Sequence, residues 1–312
     1  IARQLAAHPV LLDELLDARS LYSMPDQDGL ASELRQRLLR IEGDDLEAQM
    51  EALRYFRLAH VLRGAASEVT DSLPLMKVSD YLTAIAEVVL AAVLDIAWQN
   101  LLDKHGSPVP DGDDRRHFVV LGYGKLGGLE LSYGSDLDLV FLHDLPTTAV
   151  TDGERSVDAG TFFTRLGQRI IHILTATTRL GALYEVDMRL RPSGNSGLLV
   201  SSFTAFSDYQ QNQAWTWEHQ ALVRVRAVAG DGILAEKFAD LRRQILCKNR
   251  PQAALAKEVI AMRQKMRDHL LLGVNKNTEF DLKQGEGGIV DIEFMVQYAV
   301  LAWSHQHPPL TH

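Results

Sequence analysis

Apolar residues in the first hundred positions recur at helical spacing. Leu5, Leu11, Leu12, Leu15 and Leu16 do so around His8-Pro9, and Leu46, Met50, Leu53, Phe56, Leu58 and Val61 predict a longer helix. Residues 78–102, rich in Ala and Leu, predict another. The run Gly106-Ser107-Pro108-Val109-Pro110-Asp111-Gly112 breaks the pattern and marks a first boundary. The period then changes. Residues 117–121 read as a strand entering a glycine-rich loop, 137–142 as a second apolar strand, and 144–153 as a polar loop. A helix follows over 154–178 with Asp152 as its cap, then a strand over 183–190, a turn at 191–197 and a short strand at 198–201. Residues 203–217 read as one helix capped by Ser202, while 222–229 suit strand or helix equally. Beyond Gly230 the chain is helical again, with breaks at 248–251 and 273–288. In the last helix Ile292, Met295, Val296, Ala299, Val300 and Trp303 form one apolar stripe. The expected organisation is a helical region over 1–110, an α/β domain over 111–230 and a helical region over 231–312, with no internal repeat.

Composition narrows this picture. A chain of 312 residues approaches the limit of a single core, so two or three subdomains are expected. Hydrophobic residues at 46% and charged ones at 23% suit a globular protein. The balance of 41 acidic against 32 basic side chains, −9 in all, argues against a protein whose main task is gripping nucleic acid. Cys247 stands alone, which removes disulfides and cysteine zinc clusters and fits a reducing cytoplasm. The eleven histidines show no metal-binding spacing. Apolar runs such as 88–93 are too short to span a bilayer. The chain opens at Ile1 in mid-helix pattern without a leader and reads as a fragment.

Gly122-Tyr123-Gly124-Lys125-Leu126-Gly127 matches G-x-G-x-x-G after an expected strand, with Asp144 placed like a ribose-binding acid. A glycine loop that binds no nucleotide fits the same string. The dinucleotide fold needs an uninterrupted helix next, and only about one and a half turns fit before Gly134-Ser135. It also leaves Asp136 and Asp138 unexplained in a strand of Leu, Val and Phe.

Side chains alternate along a strand, so Asp136 and Asp138 share a face while Leu137, Leu139 and Phe141 take the other. Two neighbouring carboxylates call for a cation, and no Lys or Arg lies in the strand. A divalent metal is the economical candidate, since such a pair can bridge two Mg²⁺ ions roughly 3.5–4 Å apart. The alternative is that Asp136 caps a turn and Asp138 meets a distant arginine. Across 183–191, Glu185, Asp187, Arg189 and Arg191 share one face opposite Tyr184, Val186, Met188 and Leu190. A solvated strand would look similar, but a two-metal site wants a third carboxylate and positive charge for phosphates. Asp187 is the candidate third ligand, with Glu185 behind it, and Arg189 and Arg191 suit phosphates. Backbone amides of the loop containing Gly124, Gly127 and Gly128, with Ser135 and Lys125, can cradle β and γ phosphates. Lys125 reads equally well as a solvated loop lysine.

Gly124-Lys125-Leu126-Gly127-Gly128 followed by Gly134-Ser135-Asp136-Leu137-Asp138-Leu139 resembles the signature of the nucleotidyltransferase superfamily related to DNA polymerase β. Residues 121–131, Tyr184-Glu185-Val186-Asp187-Met188-Arg189-Leu190-Arg191-Pro192-Ser193-Gly194, Trp215-Thr216-Trp217-Glu218-His219-Gln220-Ala221-Leu222, Glu286-Gly287-Gly288-Ile289-Val290-Asp291-Ile292-Glu293-Phe294 and 8–16 resemble the bacterial glutamine synthetase adenylyltransferase family. The resemblance implies an α+β fold, a polymerase-β-like nucleotidyltransferase domain with a small mixed sheet between helical regions. It implies ATP as substrate, two Mg²⁺ ions on Asp136, Asp138 and Asp187, and transfer of AMP to a tyrosine of glutamine synthetase with release of pyrophosphate. It further implies a cytoplasmic enzyme of nitrogen assimilation controlled by glutamine and the PII signal protein, with no nucleic-acid or membrane partner. The family carries two such domains in tandem. Tyr123, Tyr133-Gly134 and Glu185 resemble the C-terminal, adenylylating half, whereas the adenylyl-removing half typically has methionine in the first loop and a basic residue in place of Glu185. By that comparison the chain stops at His312, short of the family's helical C-terminus. The rival readings are the phosphorolytic adenylyl-removing half, a nucleotidyltransferase with another acceptor, and a catalytically silent nucleotide-sensing module.

A few residues invite roles that bland readings also cover. His143 would lie near the metals but reads more simply as structural. Trp215 and Trp217 suit packing more than adenine stacking. Asp291 and Glu293 at the head of the last helix suit its dipole, with a site-facing role left open by the resemblance. Arg242, Arg243, Lys248, Arg250 and Lys257 read as a solvated basic face.

Overall fold

The computed structural model describes residues 2–12, 14, 24–109, 113–146, 148–270 and 281–311. Leu15, Leu16, residues 110–112 of the expected break and 273–280 of the expected loop lie outside them. The chain forms two compact units, one of 1–202 with 226–235 and one of 203–225 with 236–312. The helical region before the sheet thus belongs to the same unit as the sheet.

In the first unit, α1 (Ala2–Ala7), α2 (Gln27–Leu38), α3 (Leu46–Val69) and α4 (Leu75–His105) precede β1 (Phe118–Gly122). Asp26 and Asp45 cap α2 and α3 by accepting the Gly29 and Ala48 amides, each at 2.9 Å. Helix α4 is long and apolar enough to cross a membrane by length and composition, further than its 88–93 run suggests. However, 72% of its most apolar stretch is buried inside the protein, as in a core helix. It packs against α2, α3, β5 (Arg226–Gly230) and α6 (Ala159–Thr175).

A short helix, α5 (Gly124–Gly127), links β1 to β2 (Leu137–His143). β1 runs antiparallel to both β2 and β5. The free edge of β2 takes β3 (Val186–Asp187) parallel at its start and β4 (Val200–Ser202) parallel at its end. The antiparallel β1–β2 pair rules out the dinucleotide-binding crossover, which joins parallel strands. Phe118, Val120, Leu137, Leu139 and Phe141 face the helical core with Phe162, Phe163 and Leu166 of α6. Val119, Leu121, Val140 and Leu142, on the opposite face, are buried as well.

Several boundaries differ from the sequence reading for identifiable reasons. Asp152 does not cap the helix after it but accepts the Ser107 amide at 2.7 Å, and Asp158 caps α6 through the Thr161 amide at 2.8 Å. The strand expected over 183–190 contracts to β3. The amides of Leu183 and Tyr184 are spent on the Leu174 carbonyl, both at 3.0 Å, and beyond the strand the Arg189 amide turns back to Asp187 Oδ1 at 2.8 Å. The helix expected over 203–217 is two, α7 (Phe203–Asn212) and α8 (Thr216–Ala221). The break is set by Glu218, whose carboxylate accepts the Trp215 amide at 2.9 Å.

In the second unit, α10 (Gln252–Leu270), α11 (Ile289–Trp303) and α8 pack on one another, and α9 (Gly232–Leu246) leads into this unit. The expected stripe on α11 is not its buried face. Ile292, Met295 and Val296 are more than half exposed; of the stripe Val300 is buried, and Val290 and Leu301, outside it, are buried as well. The helix is apolar on nearly every side, so periodicity could not choose a face.

Candidate active site

Asp138 sits at the start of β2 and is in register with Asp187 on β3; Asp136 immediately precedes β2. One carboxylate oxygen from each lies within 4.8 Å of the others, a grouping able to hold a metal ion. The alternation rule placed two of these acids on one face, and the parallel β2–β3 register adds the third. Asp136 is exposed and the other two half-buried. A cleft of 350 Å³ opens beside them, lined by Asp136, Glu185, Asp187, Met188, Arg189 and Asn195.

Arg189 donates from Nε to Asp187 Oδ2 at 2.7 Å, and its Nη2 pairs with the same oxygen. That guanidinium holds the Asp187 carboxyl below its usual range, against the opposing effect of partial burial. The Arg189 side chain is 75% exposed, so little packing ties it to this position. Arg191 is engaged otherwise. It donates to the carbonyls of Met188 at 2.7 Å, Asn195 at 3.2 Å and Gly197 at 3.4 Å, bracing the turn after β3. Glu185 is exposed at the rim.

The glycine loop is shaped around Asp138. Gly124 has φ +56°, and a Cβ there would stand 2.5 Å from Asp138 Oδ2, so only glycine lets the loop approach the carboxylate. The Tyr123 amide donates to the Asp138 carbonyl at 2.9 Å. The Gly127 and Gly128 amides are spent inside α5, on the Tyr123 and Gly124 carbonyls at 3.1 and 3.0 Å. Lys125 is exposed on the loop. Ser135 Oγ accepts the Ser132 amide at 3.0 Å and lies 2.9 Å from Ser132 Oγ, fixing the turn that delivers Asp136. The Tyr133 hydroxyl donates to the Glu68 carboxylate of α3.

Two positioning arginines escaped the sequence reading. Arg226, on β5, donates to the carbonyls of Leu126 at 3.0 Å and Gly127 at 3.3 Å while pairing with Glu87 of α4, and so anchors α5. Arg54 of α3 is almost wholly buried and gives all its hydrogen bonds to carbonyls. These belong to Met50 at 2.9 Å, Ile173 at 3.0 Å, Ala176 at 2.5 Å and Gly181 at 2.7 Å. It closes the end of α6 and the turn leading to β3. A single arginine in an apolar helical pattern carries no signal of what it will hold.

The opposite end of the same strands is also acidic. Arg115 makes a two-pronged pair with Asp231 at 2.8 and 3.0 Å and reaches Asp144 at 3.5 Å. His117 lies between Asp144 and Asp113, at 2.6 and 2.8 Å, so both ring nitrogens face carboxylate oxygens. Asp144 therefore serves this cluster rather than a ribose. Burial opposes ionisation of Asp231, but Arg115 and the Leu234 amide hold its carboxyl below the usual range. His143 closes β2 five residues from Asp138, about 16 Å along the strand. It is buried with its ring stacked 4.6 Å from Phe163, and burial lowers its pKa.

Residues 1–241 match the family described as glutamate-ammonia ligase adenylyltransferase. The chain belongs to that family. Residues 257–309 also match the family described as GlnD PII-uridylyltransferase. A bifunctional glutamine synthetase adenylyltransferase/adenylyl-removing enzyme from Hahella chejuensis is 59% identical over 319 residues, covering 99% of this chain and 33% of its own length. Proteins of the same description from Pseudomonas putida and Vibrio parahaemolyticus are 57% and 53% identical, again with a third of their length covered. The chain thus spans about a third of these adenylyltransferase relatives.

Within this family member the other residues singled out from the sequence have visible employment. Asp291 accepts from Arg263 at 2.5 Å, from the Gly287 amide at 2.7 Å and from Arg267 at 3.1 Å, and Glu293 accepts from Arg224 at 3.1 Å. The basic run is not simply a solvated face. Arg242 donates to the carbonyls of Leu222, Val223 and Thr311, and Arg250 to those of Ile245 and Leu246. Trp215 is 70% exposed rather than packed.

Proposed function

We propose that this chain is the adenylylating half of the family, transferring AMP from ATP to a tyrosine hydroxyl of glutamine synthetase with release of pyrophosphate. The observation that carries the reading is the convergence of Asp136, Asp138 and Asp187 within 4.8 Å in a member of an adenylyltransferase family. Tyr123, the Tyr133-Gly134 pair and Glu185 favour the adenylylating over the adenylyl-removing half. A polymerase-β-like arrangement of the sheet agrees with acids at the head of β2 and on β3.

The three carboxylates offer oxygen ligands at a spacing that suits divalent ions, and Gly124 keeps the Asp138 oxygen clear of side-chain bulk. Two Mg²⁺ ions bound there would favour the alkoxide of the incoming tyrosine and neutralise charge on the departing pyrophosphate. The chain's own residues position the reactants. The hydroxyl oxygen attacks the α-phosphorus as the bond to the bridging oxygen breaks, and its proton passes to solvent. Arg189 can leave Asp187 for the triphosphate at little packing cost, because it is largely exposed. Lys125, Ser135 and the loop of Gly124, Gly127 and Gly128 line the approach for the phosphates. Arg191 contributes field and holds the turn that carries Arg189. The reading places the protein in the cytoplasm, with glutamine and the PII signal protein as regulators and without a nucleic-acid or membrane partner.

The test is incubation with Mg²⁺, purified glutamine synthetase and ATP labelled at the α or the γ position. Transfer of α label alone is expected. Transfer of γ label would make the protein a kinase. Phosphate-dependent release of ADP from adenylylated glutamine synthetase would identify the removing half. ATP binding without transfer would identify a silent module.

A further inference from the structure

A second cavity in the first unit lies where α4, α6 and the loop before α6 meet, and its charge is opposite to that of the acidic centre. It has a volume of 750 Å³ and is lined by Lys104, Arg155, Arg165, Arg169 and His172 over a floor of Leu101, with no carboxylate in its wall. Among the described residues, none of Lys104, Arg155, Arg165 and Arg169 has a carboxylate within ion-pair distance. The chain's net charge is −9, and several arginines elsewhere are spent on carboxylates, as with Arg115 and Arg226, or on carbonyls, as with Arg54 and Arg242.

The wall is also built rather than incidental. His105 is 3% exposed and donates from Nδ1 to the Arg155 carbonyl at 2.8 Å, which leaves Nε2 as an acceptor. Arg165 donates Nη1 to that Nε2 at 2.9 Å. A buried neutral imidazole thus fixes one guanidinium at the cavity while four of its five N–H groups stay available. It also ties down the backbone of Arg155, the second guanidinium.

We propose that this cavity is a binding site for a small phosphate-bearing polyanion, separate from the acidic centre. Four cations lining one cavity exceed what a monoanion or a dicarboxylate can neutralise, and three guanidinium forks suit the oxygens of a short phosphate chain. The volume suits a small molecule. The source is either a nucleoside polyphosphate, whose base would rest on Leu101 and Val157, or an inorganic one.

The experiment measures binding of tripolyphosphate and of ADP by calorimetry in EDTA, where the metal-free acidic trio repels anions. It uses the wild-type chain, Arg155→Glu/Arg169→Glu, Arg189→Ala and Lys125→Ala, each first shown to unfold at the wild-type temperature. The expected result is one equivalent bound to wild type, unchanged affinity in Arg189→Ala and Lys125→Ala, and about a hundredfold weaker binding in the charge-reversed pair. ADP binding tighter than tripolyphosphate assigns the site to a nucleotide, and equal or weaker binding assigns it to an inorganic chain. Equal affinity in the charge-reversed pair, or loss in Arg189→Ala or Lys125→Ala, overturns the proposal. So does binding of polyglutamate with none of tripolyphosphate, which would make the cavity a docking face for acidic polypeptide.

Discussion

The two ends of the β1–β2 pair each gather three aspartates, and they treat them in opposite ways. At one end Asp113, Asp144 and Asp231 meet Arg115 and His117, and the cluster closes on itself with short hydrogen bonds. At the other, Asp136, Asp138 and Asp187 converge beside a cleft, and the arginine paired to Asp187 is itself largely exposed. Acids that hold a fold bring their cations with them. The second cluster instead leaves room for a cation to arrive, at a cost in repulsion between its carboxylates.

The largest effect should come from Asp138→Asn. Adenylyl transfer should fall by ~10³-fold or more, about 4 kcal/mol in transition-state terms, while thermal unfolding stays level or rises as repulsion is relieved. Turnover at the wild-type rate would refute the contrast outright. Next is Arg115→Ala, which strands Asp231 and should cost ~2–3 kcal/mol in denaturant unfolding, less than a fully buried pair because Arg115 is partly exposed. Activity per folded molecule should be unchanged; a drop in kcat would mean the two ends are not separate in function. Gly124→Ala combines a left-handed backbone with a 2.5 Å approach to Asp138, so ~1–2 kcal/mol of stability should go. Its loss of activity should exceed that of a neighbouring Lys125→Ala.

The smallest effect is a pH dependence. The folded pKa of Asp231 lies below its unfolded value, so its contribution is complete above the unfolded value near 4 and is lost as pH falls through the folded one. Acid titration of stability should therefore be flatter in Asp231→Asn below about pH 4, by ~1 kcal/mol. Equal slopes would show that Arg115 does not hold this carboxyl in its ionised form.

The acidic trio was legible in sequence because a strand has a period of two and carboxylates in an apolar strand demand an explanation. The strand cores and the long helices were legible for the same reason, as strong periodic signals. What escaped were choices made by single long-range hydrogen bonds. Asp152 and Asp158 are equally good caps on paper, and the Ser107 amide decides between them. Arg189 and Arg191 share a face in an ideal strand, but the turn after Asp187 sends one to a carboxylate and the other to carbonyls. Arg54 and Arg226 reach 127 and 100 residues away, to Gly181 and Leu126, beyond any local pattern.

Arg54 has a practical corollary. Three of its four carbonyl bonds close the path from α6 to β3, so the placement of Asp187 depends on a side chain more than a hundred residues upstream. The sheet that carries the acidic trio is therefore not a portable cassette. A fragment starting at residue 113 should express as an ensemble in which two aspartates are in place and the third wanders. Recombination between relatives should succeed only where the crossover keeps α3 and the α6–β3 turn from one parent.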